Sequence, residues 1–335
     1  IAYTRDAAGA PVLLTESLGG VAETLTIQRD AMGRPIVVTA ANNPLRSESF
    51  SYDLNGNLID TGALTGCTFD DADQLLTSSE GTYEYDAQGN LTVTHKADGS
   101  RLETLHDPSN RIVAIREYAA AGNLTREVEY VYDALGRRIK VVDQGQEIHR
   151  TFAFDNMINR VAPGSVIHYL IGRGLDDVFA ANVNAQTRYL HRDQIGTIRM
   201  VTDAAGAIIA TESYSLFGRP VASTGTNDTG LGFTARPVDA GTGLIDLRAR
   251  MCETSLARFL ARDPVPFRSD GKSAYVYAAN GPLTFVDPLG LSPDKPWWEE
   301  LGDWWSDLVT SDDPHSWWSE FWRINNSQIQ SGNDW

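Results

Sequence analysis

Cysteine is scarce in this sequence, which removes two common sources of stability and chemistry. Only Cys67 and Cys252 occur among 335 residues, and they lie far apart without the spacing of a metal site. We therefore expect two buried thiols, with neither a disulfide framework nor a zinc site. The histidines share no ligand spacing; they are His95, His106, His149, His168, His191 and His315. No metal and no cofactor is expected.

Long apolar runs and an excess of positive charge are also missing. Because no run of about 18 apolar residues occurs, we expect no integral membrane segment. The chain has 28 Lys and Arg against 44 Asp and Glu, a formal net charge of −16. Nucleic-acid binding depends on clustered basic residues, so no nucleic-acid partner is expected for the bulk of the chain. The start at Ile1 rather than Met suggests a fragment, whose export signal would lie upstream.

Tryptophan is absent from most of the chain, and all eight tryptophans lie between Trp297 and Trp335. The composition changes after the stretch FVDPLGLSPDKPWW, residues 285–298. Two prolines and polar neighbours mark residues 292–296 as a linker. The sequence thus predicts a long first part and a short tail of different character.

The tail has the pattern of an acidic amphipathic helix. Its apolar positions recur at helical spacing, and they are Trp297, Leu301, Trp304 and Leu308. A second, shorter helix is predicted for residues 315–324. These tryptophans would pack on another apolar surface of the protein; a membrane-active segment is the alternative, because Trp favours the membrane interface. Nine Asp and Glu in residues 292–335 weigh against contact with anionic lipid.

A repeat organises the remainder of the chain, in which an Asp is followed three residues later by Gly. The pairs are Asp6 with Gly9, Asp30 with Gly33, Asp53 with Gly56, Asp86 with Gly89, Asp133 with Gly136, Asp193 with Gly196 and Asp203 with Gly206. Degenerate copies follow at Asp70 and Asp107. In each unit we expect a strand, a tight turn capped by Asp and closed by Gly, and a return strand.

The flanking segments, such as REVEYVYD, alternate apolar and polar residues, which is typical of a strand with one covered face. Since a lone hairpin is only marginally stable, many must pair edge to edge. The predicted fold class is all-β, with hairpins wound into a continuous antiparallel sheet. The repeat aspartates are interpreted as turn caps, not as acid or base catalysts; they are Asp6, Asp30, Asp53, Asp86 and Asp133.

Units such as YEYDAQGNL and YVYDALGRR resemble the YD repeats of the RHS and teneurin-like families, which are related to the C subunits of Tc toxins. The resemblance becomes specific in YLHRDQIGTIRMVTDAAGAIIATESYSLFGRP, in GFTARPVDAGTGLIDLRARMCETSLARFLARDPV and in SAYVYAANGPLTFVDPLGL. It covers residues 1–291. It implies a YD-repeat β-shell over 1–188, an RHS core closing module over 189–291, and a variable C-terminal cargo from 292 to 335.

The resemblance also implies chemistry at the end of the closing module. In the family, two Asp-Pro motifs about two dozen residues apart form an aspartyl pair, and here Asp263 and Asp287 match them. One carboxylate would activate water, and the other would donate a proton to the carbonyl or the leaving nitrogen. Arg250 and Arg258 match basic positions that would hold a carboxylate ionised or bind the carbonyl oxygen.

The scissile bond implied by the family joins Leu291 and Ser292, and Gly290 would let the chain enter a narrow site. Two other mechanisms stay open from the residues themselves. The Ser292 hydroxyl could attack the preceding carbonyl in an acyl shift, and Cys252 could act as a thiol nucleophile. An ordinary linker serine and a packed thiol are the simpler interpretations.

Three positions depart from the family pattern. Pro266 stands where the first Asp-Pro motif has Gly, Glu253 where RYYDP has Asp, and Ala257 where GRF has Gly. A shell or adhesion module without enzymatic activity is therefore the rival hypothesis, with Asp263 and Asp287 capping turns. Carbohydrate binding on an exposed sheet is a third; the 12 tyrosines allow it, but they form no localised cluster in the sequence.

By resemblance, the expected protein is the C-terminal shell portion of a bacterial RHS polymorphic toxin, which encapsulates a C-terminal toxin and cuts itself after Leu291. Its expected partners are its own cargo, upstream RHS shell segments, an immunity protein and components of a secretion machinery. It would be made in the bacterial cytoplasm and secreted or delivered to target cells, in competition between bacteria.

Overall fold

The structure is a computed structural model that describes residues 1–7, 9–239, 242–264 and 273–291. The chain divides into two units, Ile1–Asp294 and Lys295–Trp335. The predictions for Ser292, for Pro266 and for the helices of the tail fall outside the described residues.

Antiparallel hairpins build nearly all of the described chain, which confirms the all-β fold class. The first sheet has five strands in chain order: β1 (Ala2–Arg5), β2 (Pro11–Leu18), β3 (Val21–Arg29), β4 (Pro35–Ala40) and β5 (Glu48–Ser49). A short pair follows, made of β6 (Ser51–Tyr52) and β7 (Leu58–Asp60).

The largest sheet contains sixteen of the described strands, each paired with its neighbours along the chain. These are β8 (Thr68–Phe69), β9 (Leu75–Ser78), β10 (Gly81–Tyr85), β11 (Leu91–Lys96), β12 (Arg101–His106), β13 (Ile112–Tyr118), β14 (Leu124–Tyr132), β15 (Arg138–Asp143), β16 (Gln146–Ala153), β17 (Asn156–Ala162), β18 (Ser165–Ile171), β19 (Val178–Val183), β20 (Gln186–Arg192), β21 (Ile198–Asp203), β22 (Ile208–Tyr214) and β23 (Pro220–Gly225). The predicted domain boundary at residue 189 falls within β20.

A three-stranded sheet follows, made of β24 (Ile245–Leu247), β25 (Arg250–Glu253) and β26 (Arg258–Phe259). Short 3₁₀ turns occur at Pro44–Arg46, Phe233–Ala235 and Ala278–Asn280. No helix in the described ranges is long and apolar enough to cross a membrane.

The Asp and Gly of each repeat close the turn between paired strands. The Gly33 N–H donates to the Asp30 carbonyl oxygen at 3.0 Å, and Asp30 Oδ1 accepts the N–H groups of Met32 and Arg34 at 2.9 Å. Gly33 has a φ of +79°, where a Cβ is disfavoured. The other predicted caps accept the same backbone N–H, four residues on, and they are Asp6, Asp53, Asp86 and Asp133. The capping prediction is confirmed.

The two degenerate repeats keep this turn without glycine. Asp73 and Asn110 occupy the glycine position after Asp70 and Asp107, and both have a φ of +62°. Asp and Asn tolerate this left-handed conformation better than other residues with a Cβ. The turn therefore still needs a left-handed residue at this position where the glycine of the repeat is missing.

Substituting Gly33 tests this requirement. We expect Gly33→Ala to lower the free energy of unfolding by about 1 to 2 kcal/mol, because a Cβ is strained in the left-handed region. No atom lies within 4 Å of the added Cβ, so no clash contributes. Gly33→Asn is the matched control and should lose less, as the Asn110 turn indicates. Urea unfolding measures both variants, and equal losses would contradict strain as the cause.

The three-stranded sheet packs against one face of the sixteen-stranded sheet. Alternation along β14 buries Val128 and Tyr130 while Val131 stays exposed. Those two buried side chains share one apolar cluster with Met251 and Leu260 from the region of the three-stranded sheet. The large sheet thus supports the elements that carry the candidate site.

Candidate functional site

The structure brings together three of the charged residues singled out in the sequence. Arg250 begins β25, Asp263 follows β26, and Asp287 opens the DPLGL segment, which is defined here as residues 287–291. Arg250 Nη2 lies 3.0 Å from Asp263 Oδ2 and 3.5 Å from Asp287 Oδ2. The two carboxylate oxygens are therefore separated by at most the sum of these two distances.

This group is largely withdrawn from solvent. Asp287 is 1% exposed and Arg250 is 5% exposed, and the side chain of Asp263 is 15% exposed. The Arg250 guanidinium lies 3.7 Å from the centre of the Phe259 ring. Burial lowers the pKa of Arg250 below its usual value, and the two carboxylates oppose that shift. Arg250 therefore contacts both carboxylates at a place with little access to water.

The backbone of the DPLGL segment is held by three consecutive residues, 248–250. The donors are a side chain, a backbone N–H and a second side chain. They pair in order with the carbonyl oxygens of the segment: Arg248 Nη1 with Pro288, the Ala249 N–H with Leu289 at 3.1 Å, and Arg250 Nε with Gly290 at 2.6 Å. The segment is thereby fixed along the turn between β24 and β25.

Gly290 lies where a side chain has no room. Its φ is +67°, and a Cβ would come within 2.5 Å of the Leu247 carbonyl oxygen and 2.9 Å of the Arg250 backbone nitrogen. Both neighbours are backbone atoms of the hairpin, so neither can rotate away. Position 290 therefore has no room for a side chain; that Gly290 lets the chain enter a cleavage site stays a prediction.

Asp287 also organises the turn that leads to the predicted scissile bond. Its Oδ1 accepts the Leu291 N–H at 2.9 Å, and its carbonyl oxygen accepts the Gly290 N–H at 3.3 Å. This is the hydrogen-bond pattern of the YD turns, in which Asp accepts from the third and fourth residues that follow. Leu291 itself is half-buried.

Arg258 lies in a different environment. Its Nη2 donates to the Asp73 carbonyl oxygen at 2.7 Å, and its guanidinium packs over the rings of Phe69 and Tyr275. Burial lowers its pKa below the usual value, and Tyr85 and Tyr275 oppose that shift. Of the two arginines singled out in the sequence, only Arg250 contacts Asp263 and Asp287 in the described contacts.

The thiol alternative finds little chemical support. Cys252 is 3% exposed and has no disulfide, and burial raises its pKa well above the usual value. A nucleophilic cysteine needs the opposite shift and access to its substrate. Within the described ranges, no group of three His, Cys, Asp or Glu side chains could hold a metal ion.

Two residues of this region, Arg248 and Asp176, are not among those predicted from the sequence. Arg248 donates to the DPLGL segment, and it forms a two-point ion pair with Asp176, at 2.8 and 2.9 Å. Asp176 lies between β18 and β19, 72 positions earlier, so no local pattern links the two. A usable signal for Arg248 was its place in Arg-Ala-Arg, two residues before Arg250.

Comparison with known proteins agrees with this architecture. A sequence model of the teneurin YD-shell family matches residues 15–278. Double-stranded DNA deaminase toxin A of Burkholderia cenocepacia (strain H111) is 26% identical over 325 residues, covering 87% of this chain and 22% of the toxin. Salivary gland surface protein 1 of Aedes aegypti is 30% identical over 101 residues, covering 29% of this chain and 3% of that protein. The chain thus spans only a small part of either relative.

A solved structure, "Crystal Structure of TcdB2-TccC3-TEV", matches with a TM-score of 0.50 and 17% identity, over 87% of this chain and 19% of that chain. At this identity the likeness concerns the fold alone. The family match includes most of the hairpins described above, from the second half of β2 to β26. The chain belongs to the teneurin YD-shell family.

Proposed function

We propose that this chain is the C-terminal shell portion of a bacterial RHS polymorphic toxin that encloses a C-terminal toxin and cuts itself once, after Leu291. Residues 1–188 would form the YD-repeat shell, 189–291 the closing module with its autoprotease, and 292–335 the start of the cargo. Family membership supports the shell, and a relative named as a toxin supports the cargo.

One observation supports this proposal above the others: Arg250 contacts both Asp263 and Asp287, and Asp287 also accepts the backbone N–H of Leu291. One carboxylate would take a proton from water, and the resulting hydroxide would attack the Leu291 carbonyl carbon. The other would give its proton to the nitrogen of Ser292 as the peptide bond breaks. The products are a new carboxylate at Leu291 and a new amine at Ser292, so the reaction consumes one water and needs no cofactor.

Arg250 would hold the two carboxylates and the substrate backbone in one arrangement. Its donors reach the Gly290 carbonyl at 2.6 Å, the Ala274 carbonyl at 3.0 Å and both carboxylates. A guanidinium has five N–H donors. Most of these donors therefore already have an acceptor before any reaction begins. This favours a role in which Arg250 holds the carboxylates and the backbone, and not one in which it binds the oxyanion that forms during the reaction.

The proposed partners follow from this role. They are the chain's own toxin cargo, upstream RHS shell segments, an immunity protein and components of a secretion machinery. Synthesis would take place in the bacterial cytoplasm, followed by secretion or delivery to a target cell. Cutting would convert a tethered cargo into a separate chain inside the shell.

A second candidate is a scaffold that does not cut. The specific observation in its favour is that Asp287 accepts from Gly290 and Leu291 in the manner of a YD turn cap. Burial beside an arginine also occurs at the turn cap Asp193, whose side chain is 8% exposed. What favours the first candidate is that Arg250 brings Asp287 together with Asp263 next to Leu291.

The intact mass of the freshly made chain separates these candidates. We expect two fragments under denaturing conditions, one ending at Leu291 and one beginning at Ser292, with a combined mass one water greater than that of the uncut chain. N-terminal sequencing of the smaller fragment should begin at Ser292. A single uncut chain would favour the scaffold instead.

A further inference from the structure

Two residues facing each other beside the DPLGL segment have a strained backbone. Arg248, in the turn between β24 and β25, has a φ of +65°, and Asp176, between β18 and β19, has a φ of +57°. This left-handed conformation usually selects glycine; it costs an arginine about 1 kcal/mol or more, whereas Asp tolerates it better. The strain that is kept at Arg248 is grounds for seeking a role for its side chain.

Their side chains form a two-point ion pair. Arg248 Nη1 lies 2.9 Å from Asp176 Oδ2, and Arg248 Nη2 lies 2.8 Å from Asp176 Oδ1. Arg236 contacts the same carboxylate at 2.9 Å. Burial raises the pKa of Asp176, but the two arginines outweigh that effect and leave the pKa below its usual value. This fork geometry fixes the plane of the Arg248 guanidinium.

The fixed guanidinium has two further acceptors. Nη2 donates to the Asp155 carbonyl oxygen at 2.8 Å, and Nη1 donates to the Pro288 carbonyl oxygen. Asp155 lies in the turn between β16 and β17, so Arg248 connects the sixteen-stranded sheet to the residue after Asp287. The backbone orientation at Pro288 then follows from contacts on the large sheet.

We propose that Arg248, locked by Asp176, is a positioning residue for the cut after Leu291. It fixes the Pro288 carbonyl and thereby aims the Asp287 side chain at Arg250 and at the Leu291 N–H. The inference rests on the proposed function, because it assigns a role in that same cleavage. Misplacement of reacting groups by about 1 Å can slow a reaction about 100-fold. A small rotation at Pro288 therefore suffices to suppress cutting.

The test measures the rate of cutting in the full 335-residue chain, made by pulse-labelled cell-free synthesis over a range of pH. Arg248→Gly removes the guanidinium and relieves the backbone strain, while Arg236 still pairs with Asp176. Arg248→Lys keeps one donor and loses the fork. Arg188→Ala is the matched control, since Arg188 forms a comparable two-point pair with Asp228, in which Nη2 lies 2.9 Å from Oδ2 and Nε lies 3.2 Å from Oδ1.

We expect Arg248→Gly to be cut about 100-fold more slowly at every pH, with an unchanged shape of the pH profile. Arg248→Lys should be intermediate, and Arg188→Ala should be cut at the parental rate. Parental cutting in Arg248→Gly, a changed profile shape, or an equal loss in Arg188→Ala would overturn the positioning role alone. An uncut parent chain would overturn the proposed function, and the role of Arg248 in cutting would fall with it.

Discussion

Asp287→Asn and Asp263→Asn should each leave the chain uncut after Leu291. Asparagine has the shape of aspartate, but it can neither accept the proton of an attacking water nor supply one to the leaving nitrogen. General acid–base groups contribute about 100- to 10,000-fold to a rate, so the loss should reach at least the lower figure for each variant. Intact mass after a fixed time of synthesis measures it.

The two variants are informative because they spare much of the local structure. An asparagine Oδ1 at position 287 can still accept the Leu291 N–H, which Asp287 accepts at 2.9 Å. The ion pair with Arg250 is weakened, but in each variant one carboxylate remains beside the guanidinium. A folded but uncut chain is therefore the expected product, and thermal unfolding checks that it is folded.

The matched control is Asp133→Asn in a YD turn. Asp133 Oδ1 accepts the Arg137 N–H at 2.9 Å, as Asp287 accepts the Leu291 N–H, and Asp133 also pairs with an arginine side chain. If Asp287 acts only as a turn cap, the two substitutions should have the same effect on the chain. If Asp287→Asn is still cut, the aspartyl mechanism is contradicted, and attack by the Ser292 hydroxyl on the preceding carbonyl becomes the favoured mechanism.

The parts of the fold that the sequence predicts are those fixed by neighbouring residues. The turn at Asp30 and Gly33 depends on atoms within five residues, so its chemistry is visible in the repeat. Strand alternation is equally local, as Val128 and Tyr130 in β14 show. For such features, the residues that form the sequence pattern are the same residues that make the stabilising contacts.

The candidate site is less visible because its contacts join distant parts of the chain. Asp263 and Asp287 were singled out by family resemblance, since an Asp-Pro pair alone predicts only a turn. Arg250 and Arg258 looked equivalent in sequence, yet they face different partners. Arg248 is linked to Asp176 only after β18, β19, β24 and β25 have assembled. Long-range assembly, rather than residue type, decides which charged groups meet.

Gly290→Ala should also stop cutting, although position 290 carries no titratable group. The added Cβ would lie 2.5 Å from the Leu247 carbonyl oxygen and 2.9 Å from the Arg250 backbone nitrogen, both closer than a Cβ can approach. Relief requires the DPLGL segment to move away from the hairpin, which stretches the 2.6 Å contact between Arg250 Nε and the Gly290 carbonyl oxygen. A shift of about 1 Å would slow cutting about 100-fold.

Gly243→Ala separates this effect from backbone strain. Gly243 has a φ of +74°, close to the +67° of Gly290, but a Cβ there would meet no atom within 4 Å. Both substitutions carry a similar left-handed penalty, of about 1 to 2 kcal/mol; only Gly290→Ala adds a collision with backbone. We therefore expect Gly243→Ala to lower stability and still be cut at the parental rate. If Gly290→Ala is also cut at the parental rate, close packing of the DPLGL segment against the hairpin is not required for cutting.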